Sequence, residues 1–275
     1  MEHNTQNRKT IIEVTAIKKD ADIIEKQKDI VKDINVKEEI IKNQKGITKD
    51  KENIIINIEK NLNKQDSIAS KKIAIVIMAS GYSERFGSNK LLESFLDKTL
   101  FTYAVDLAAS CQAEIKIIAT RYEPIIQYVR KNAPTMNVVW NEHPERGISE
   151  SIHLGIRYLK QQKDYEEYAG CCFMVCDQPL LQKESMQELF KSFYTNPEGI
   201  HMCVTKEREG NPVIFPRQLF DELMALEGDR GGKRIAKKHP ELVHKVYVSE
   251  KELSDMDYKE DKINLEKEYN KHNMR

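Results

Sequence analysis

The chain has 275 residues, with 44 basic and 44 acidic side chains and therefore no formal net charge. This balance excludes a global electrostatic attraction to nucleic acid or to an anionic membrane. No apolar run approaches the roughly 20 residues that a membrane-spanning helix needs, and the polar N-terminus lacks the pattern of a secretory signal peptide. The five cysteines are odd in number and mostly lie in apolar runs, so we expect a reduced, cytoplasmic protein without nucleic-acid or membrane partners.

The composition of the chain changes near residue 70. Residues 1–70 contain no aromatic residue, no proline and only one glycine, Gly46. A segment without aromatic side chains buries little area per residue, so we expect a charged extension that is partly helical or disordered. Isoleucines within residues 17–43 recur at loosely helical spacing, which leaves open an amphipathic helix that docks on a partner or a second copy. Residues 71–275 are predicted to form the functional domain.

Strand and helix patterns alternate from Lys71 onward, because continuous apolar runs that predict buried strands are separated by amphipathic segments. In chain order, the predicted elements are a strand at 73–78, a helix at 99–110, a strand at 115–120, a helix at 123–131, a strand at 138–140, a helix at 149–161 with Ser149 as its N-cap, a strand at 171–175, a helix at 183–194, and strands at 201–205, 213–215 and 244–248. This alternation predicts an α/β three-layer sandwich with a mainly parallel, Rossmann-like sheet. Ligands bind at the carboxyl ends of such strands.

The first predicted strand opens into a glycine-bearing loop. Its sequence is Ala79-Ser80-Gly81-Tyr82-Ser83-Glu84-Arg85-Phe86-Gly87-Ser88-Asn89-Lys90. Glycines let a loop turn tightly and bring backbone N–H groups against phosphate oxygens, and Arg85 and Lys90 could neutralise a polyphosphate there. The spacing fits neither a Walker A loop nor the GxGxxG turn of dinucleotide-binding folds. An ordinary strand-to-helix connection with a solvated arginine and lysine is the alternative.

A carboxylate follows another predicted strand. Asp177 comes directly after the apolar run at 171–175. Mg²⁺ keeps several waters and binds proteins through one or two carboxylates plus substrate phosphates. Asp177 is therefore a candidate metal ligand, and the alternative is an aspartate that caps the helix beginning near Lys183.

These segments resemble the MobA-like nucleotidyltransferases, and within them the molybdenum cofactor cytidylyltransferases. The loop is similar to the signature Ala-Ala-Gly-x-Ser/Gly-x-Arg-Phe/Met-Gly-x-x-Lys, with Ser80 in place of the second alanine. The segment at 176–180 resembles Gly-Asp-Gln-Pro-Leu, and the segment at 254–261 resembles Asp-Ile-Asp-Thr-Pro-Glu-Asp. The fold that this resemblance implies is of the nucleotide-diphospho-sugar transferase type.

The resemblance also implies roles for individual residues. It assigns catalysis to Lys90, Arg85 and Asp177, and it assigns the binding of Mg²⁺, with Mn²⁺ as the alternative ion, to Asp177 and Asp257. It assigns nucleotide binding to Ala79, Ser80, Gly81, Ser83, Arg85, Gly87, Lys90 and Ser149. The assignment of Ser149 comes from residues 145–151, which resemble Glu-Gly-Met-Ser-Ser-Ser with Arg146 inserted and Glu150 in place of a serine.

Two later segments resemble the acceptor side of the family. Residues 209–216 are similar to Gly-x-Pro-Val-Leu-Phe, and residues 228–234 are similar to Gly-Asp-x-Gly-Ala-Arg. The implied acceptor-binding residues are Asn211, Pro212, Asp229, Arg230 and Gly231. For the second segment, a helix–helix turn with a solvated basic edge is the alternative.

The implied reaction joins CTP and molybdopterin cofactor into the cytosine dinucleotide cofactor and releases pyrophosphate, with a molybdenum hydroxylase as the implied recipient. Gln178 resembles the cytidine branch of the family, whereas guanylyltransferases tend to carry Met-Pro there. The alternatives are a guanylyltransferase, a sugar- or alditol-phosphate cytidylyltransferase and, in a different class, a non-catalytic carrier of the cofactor. The presence of Lys90 and Asp177 favours an enzyme over a carrier.

Overall fold

The computed structural model of the protein describes residues 71–273. The predictions for residues 1–70 lie outside these residues. The strands are Lys72–Ala79 (β1), Ser94–Phe95 (β2), Lys98–Thr99 (β3), Ile115–Thr120 (β4), Asn137–Trp140 (β5), Tyr168–Val175 (β6), Ile200–Val204 (β7), Glu209–Pro216 (β8) and Val243–Tyr247 (β9). The α-helices are Leu100–Ser110 (α1), Glu123–Asn132 (α2), Ile148–Lys160 (α3), Lys183–Thr195 (α4), Phe220–Met224 (α5), Lys233–Lys238 (α6) and Lys259–Asn273 (α7).

Seven strands form a central sheet in the order β5-β4-β1-β6-β8-β7-β9, and β2 and β3 form a separate small hairpin. β1 is parallel to β4 and β6, β4 is parallel to β5, and β7 is parallel to β9. β8 runs antiparallel to both of its neighbours, β6 and β7. The first residues of β8 therefore lie at the same edge as the carboxyl ends of the other six strands.

The sheet separates two buried cores. Successive side chains of a strand point to opposite faces, and in β1 both sets are buried. Ile75 and Ile77 pack in the core beneath α1, α2 and α4, whereas Ala74 and Val76 pack in the core beneath α3, α5 and α6. The predicted three-layer α/β sandwich with a mainly parallel sheet is thereby confirmed.

Helix α3 lies close to β1 because it carries Gly155 at the contact. A Cβ atom on Gly155 would lie 2.4 Å from Cγ2 of Val76, well inside van der Waals contact. The absence of a side chain allows this close approach. The beginning of α3 lies at the carboxyl edge of the sheet, where it lines the cleft described below.

The predicted elements are confirmed, with boundaries that differ by at most four residues. The hairpin β2–β3 and the helices α5 to α7 were not predicted. β2 and β3 have two residues each, α5 and α6 have only five and six, and the 15 residues of α7 are mostly polar. All five cysteines are free and buried. Within residues 71–273, the structure contains no helix that is long and apolar enough to span a membrane.

Candidate active site

A cleft of about 540 Å³ opens at the carboxyl edge of the sheet. Five segments form its walls: the end of β1 with the loop after it, the end of β6, the beginning of α3 with the turn before it, the loop between α5 and α6, and the segment that precedes α7. The residues that line it are Met78, Ser80, Gly81, Tyr82, Ser83, Glu84, Arg85, Lys90, Leu91, Pro144, Gly147, Ile148, Ser151, Val175, Cys176, Asp177, Asp229 and Asp257. The cleft thus joins the two strand-end segments that the sequence singled out.

The loop after β1 is folded by local backbone conformations. Ser83 and Gly87 adopt the left-handed region, with φ of 57° and 79°, on either side of a short 3-10 turn at Glu84–Phe86. A second turn begins at Asn89, whose Oδ1 accepts a hydrogen bond from the N–H of Leu91 at 3.2 Å. These two turns carry the chain back toward the sheet, so that Lys90 lies inside the cleft.

The ammonium of Lys90 lies between two carboxylates. Its Nζ donates to Oδ2 of Asp177 at 2.6 Å and to Oδ1 of Asp257 at 2.7 Å. The Lys90 side chain is only 13 % exposed. Arg85 is 70 % exposed, and its Nη1 lies 3.7 Å from Oδ2 of Asp257, so solvent screens this pair more strongly.

The charge state of Lys90 follows from two opposing effects. Burial disfavours the ammonium, but the carboxylates of Asp177 and Asp257 outweigh burial through their charges and hydrogen bonds and raise the pKa of Lys90. The side chain is therefore a permanent cation at neutral pH. It compensates the negative charge of two residues from distant parts of the chain.

Asp177 retains an unused acceptor. Its Oδ1 is buried and has no hydrogen-bond partner in the described part of the chain. A buried acceptor without a partner is costly, and it fits a site that a cation completes. The N-cap of α4 is Gln182, so Asp177 does not cap that helix and the helix-cap alternative is wrong.

The carboxylates of Asp177 and Asp257 favour one class of metal ion. Residues 71–273 contain no group of three or more His, Cys, Asp or Glu side chains arranged to hold a metal ion. Two carboxylates such as Asp177 and Asp257 suit a hard ion that completes its shell with phosphate oxygens and water, as Mg²⁺ does. A closed zinc-type site needs four protein ligands.

Of the residues assigned to nucleotide binding, Gly81, Ser83, Arg85 and Lys90 line the cleft. The hydroxyl of Ser83 is buried and has no hydrogen-bond partner among residues 71–273. Ser80 also lines the cleft, but its hydroxyl donates its proton to the backbone oxygen of Ala119 at 3.0 Å, so that this proton is not available to a phosphate oxygen.

Three other residues in that assignment are outside the cleft lining. Ala79 is fully buried in the sheet, and Gly87 belongs to an open turn. Ser149 is 2 % exposed; its hydroxyl donates to the carbonyl of Arg146 at 3.1 Å, and its N–H donates to the carbonyl of Gly228 at 3.2 Å. The N-cap of α3 is Gly147, so the predicted capping role of Ser149 is wrong. Ser151, two residues later, reaches the cleft instead.

A smaller pocket of about 120 Å³ adjoins the cleft and shares Met78 and Ile148 with it. Its other lining residues are mostly apolar or glycine, with polar groups at one side: Ile152, Phe173, Met202, Glu209, Gly210, Asn211, Val213, Phe215, Gly231, Gly232 and Lys233. Asn211 and Gly231, assigned to the acceptor, are thus in this pocket. Asp229 lines the larger cleft, whereas Pro212 and Arg230 line neither space.

Gly147 holds the acceptor-side loop against α3. Its backbone, at φ 73° and ψ −163°, is essentially restricted to glycine. A Cβ atom there would lie 2.4 Å from Oδ1 of Asp229 and 2.6 Å from the carbonyl carbon of Gly228. The glycine therefore permits the contact that brings Asp229 into the cleft.

Sequence reasoning missed several residues of the site. Tyr82 stacks under the guanidinium of Arg121 at 4.3 Å from the ring centroid and lines the cleft. Asp255 contacts Gln178 behind the cleft. Tyr82, Ser151 and Asp255 lie inside segments that the motifs covered, although no role was assigned to them, whereas no local pattern indicates Arg121.

The residues between the first strand and the last match a known family. The family model of the MobA-like NTP transferase domain matches residues 75–243. The chain belongs to this family. It is accordingly a nucleotidyltransferase, with the lysine and carboxylates of its cleft at the sheet edge where nucleotides bind in such folds.

Solved structures share this fold at low sequence identity. Rv0371c from Mycobacterium tuberculosis H37Rv is 21% identical, with a TM-score of 0.61 over 72% of this chain and 99% of that chain. A nucleotidyl transferase from Methanothermobacter is 15% identical, with a TM-score of 0.60 over 73% and 99% of the two chains. The 4-diphosphocytidyl-2C-methyl-D-erythritol synthase of Anaerococcus prevotii is 14% identical, with a TM-score of 0.60 over 74% and 99%. No curated protein sequence matches the chain.

Proposed function

We propose that this nucleotidyltransferase transfers CMP from CTP to the phosphate of molybdopterin cofactor, which yields the cytosine dinucleotide cofactor and pyrophosphate. The observation that carries the proposal is the Lys90 ammonium, which lies between Asp177 and Asp257 in a cleft that adjoins a mostly apolar pocket. A cleft that contains the cations of Lys90 and Arg85 suits a triphosphate, and the neighbouring pocket suits the edge of a flat heterocycle.

The proposed chemistry needs little acid–base catalysis. A phosphate oxygen of the acceptor attacks the α-phosphorus of CTP, and the bond from that phosphorus to the bridging oxygen of the departing pyrophosphate breaks. The nucleophile is already an anion, so the barrier is mainly charge crowding between two anions. Lys90, Arg85 and the N–H groups of the loop at 79–90 would neutralise the phosphates, and the remaining requirement is in-line positioning.

Asp177 and Asp257 would hold the divalent ion, which we propose is Mg²⁺. The buried Oδ1 of Asp177, which has no hydrogen-bond partner in the described part of the chain, is the donor atom that supports this assignment. Such an ion supplies charge neutralisation at the transferred phosphoryl group and at the leaving pyrophosphate. A structure of Rv0371c, which shares the fold, is a complex with manganese, so Mn²⁺ is the alternative.

The acceptor is proposed to enter from the side of Asn211 and Gly231. Phe173 and Phe215 provide apolar surface in that pocket, and Lys233 provides a cation at its rim. Asp229 lines the main cleft, and we propose that it faces the nucleotide there. We further propose a cytoplasmic location and a molybdenum hydroxylase as the recipient of the product.

Nucleotide choice is the direct test of this proposal. The loop at 79–81 and Gln178 resemble the cytidine branch, and the Anaerococcus neighbour is named as a synthase of a diphosphocytidyl compound. We expect CTP to be used at least tenfold better than GTP or ATP, measured as pyrophosphate release with molybdopterin and Mg²⁺. Equal or better turnover with GTP would make the protein a guanylyltransferase.

Two further outcomes would identify the remaining alternatives. Turnover with CTP and a sugar or alditol phosphate, but not with molybdopterin, would indicate a smaller acceptor. Tight binding of the dinucleotide cofactor without any pyrophosphate release would indicate a carrier.

A further inference from the structure

The side chain of Gln178 is turned away from the nucleotide cleft. It is 8 % exposed and does not line the cleft, although its neighbour Asp177 does. Its Nε2 donates to Oδ1 of Asp255 at 2.8 Å and lies 3.4 Å from the carbonyl oxygen of Leu253. In this arrangement the amide contacts the C-terminal segment of the domain rather than the space where a base would bind.

A backbone hydrogen bond reinforces this contact. The N–H of Met256 donates to the carbonyl of Asp177 at 2.9 Å, and Met256 is fully buried. On the outer side of Asp255, Nη1 of Arg208 lies 3.5 Å from Oδ2. We refer to Gln178, Asp255 and the Met256–Asp177 backbone bond as the latch.

The latch lies next to Asp257 in the chain and helps to determine its position. This residue follows Asp255 by two positions, in a stretch that is neither helix nor strand, between the short helical turn at Glu250–Leu253 and α7. Its side chain is 39 % exposed, so packing alone does not fix it. The latch holds the backbone on the N-terminal side of this carboxylate, and on the other side Oδ2 of Asp261 accepts from the N–H of Asp257 at 2.9 Å. Asp257 then reaches Lys90 at 2.7 Å.

The hydrogen-bonding pattern of Gln178 explains why an amide stands here. Its Oε1 is buried without a partner in the described residues, whereas its Nε2 faces a carboxylate and a carbonyl. Only a hydrogen-bond donor satisfies both acceptors, the carboxylate of Asp255 and the carbonyl of Leu253. A methionine would offer no donor, and a glutamate would place a second carboxylate against Asp255.

We propose that Gln178 and Asp255 are positioning residues. They hold the carboxylate of Asp257 beside Lys90 and Asp177, and they do not contact the nucleotide base. The proposal rests on nucleotidyl transfer at this cleft, but not on the identity of the acceptor. A small displacement of a group that binds the reacting phosphates costs rate more than it costs substrate affinity. Loss of the latch should therefore lower kcat and leave base preference unchanged.

The test compares Gln178→Met and Asp255→Leu, singly and together, with Asp255→Asn as the conservative control. We expect each of the first two variants to lower kcat about 10-fold or more, with KM for CTP changed less than threefold. The double variant should be no slower than the worse single variant, because both remove the same contact. Asp255→Asn keeps an oxygen that accepts from Gln178 and should restore most of the activity that Asp255→Leu loses.

A second readout does not depend on turnover. Hydrogen–deuterium exchange of the peptide that contains residues 253–258 should be faster in Gln178→Met and Asp255→Leu than in the wild-type protein, and near normal in Asp255→Asn. If wild-type protein releases no pyrophosphate from any NTP, the proposed function fails, while the exchange experiment still tests the latch. A tenfold change in the CTP-to-GTP ratio of Gln178→Met with normal exchange, or additive losses in the double variant, would overturn the inference.

Discussion

Lys90 compensates two carboxylates that would otherwise repel each other across the cleft. We predict that Lys90→Ala lowers kcat/KM for CTP by about 100-fold or more, equivalent to about 2.7 kcal/mol of transition-state stabilisation. The physical reason is the loss of the buried cation nearest to the proposed phosphates. Lys98→Ala is the matched control, because Lys98 also pairs with an aspartate, Asp106 at 2.8 Å, but is 46 % exposed and outside the cleft. Activity is measured as pyrophosphate release at several CTP concentrations.

The variant Asp177→Asn tests whether Asp177 binds the proposed divalent ion. The substitution keeps the size of the side chain and removes the charge, and Lys90 still pairs with Asp257. We predict a rate loss of about 100-fold or more at saturating Mg²⁺, with a change in Tm of only a few degrees. A variant that retains more than a third of wild-type kcat would show that Asp177 binds no essential ion.

The contacts of a buried histidine between β7, α4 and β9 make the stability of the protein depend on pH. His201 of β7 is buried between α4 and β9; its Nδ1 lies 2.7 Å from Oγ of Ser192, and its Nε2 lies 2.9 Å from the carbonyl of Asn196. Its ring stacks on that of His244, with centroids 4.6 Å apart. Burial lowers the pKa of His201 to about 4, so the folded protein holds this imidazole neutral while the unfolded chain protonates it near pH 6.5.

The sign of the effect follows from proton binding. Below about pH 6.5 the unfolded state binds a proton that folded His201 does not, so the free energy of unfolding falls as the pH drops toward 4. Between pH 7 and pH 5 we expect His201 to account for a loss on the order of 1–2 kcal/mol. Chemical denaturation at both pH values should show a smaller loss in His201→Gln than in the wild type. An equal loss in both proteins would contradict the low pKa.

Local patterns in the sequence predicted most of the elements that build the sheet. Apolar runs identified β1, β4 and β6, and the alternation with helices identified the layers, because burial on both faces leaves a continuous signal. The beginning of α3 was misjudged, since Gly147 takes the cap position through a backbone conformation that no side-chain pattern reveals. The latch was not predicted either. Its contact joins Gln178 to Asp255, and nothing in either local sequence indicates the other.

At the scale of the whole molecule, the topology of the sheet brings the site together. β1 and β6 are adjacent and parallel, so the loop that carries Lys90 and the strand end that carries Asp177 meet at one edge. Antiparallel β8 begins at that same edge and carries Asn211 into the neighbouring pocket. Family motifs predicted these residues in order along the chain. Their distances and the shared ammonium depend on strand order, which the motifs do not contain.

The division of the chain into an extension at residues 1–70 and a catalytic domain at residues 71–275 remains a prediction. Every residue that lines the cleft and its neighbouring pocket in the described structure falls between Met78 and Asp257. We therefore expect a protein that begins at Lys71 to retain kcat/KM for CTP within about threefold of the full chain, a difference of only ~0.65 kcal/mol. Both proteins are assayed with saturating molybdopterin and Mg²⁺, and the shortened Lys90→Ala variant provides the inactive reference. If the shortened protein melts cooperatively at the same temperature but is as inactive as that reference, then catalysis depends on residues 1–70. In that case the extension, and not only the cleft, belongs to the active enzyme.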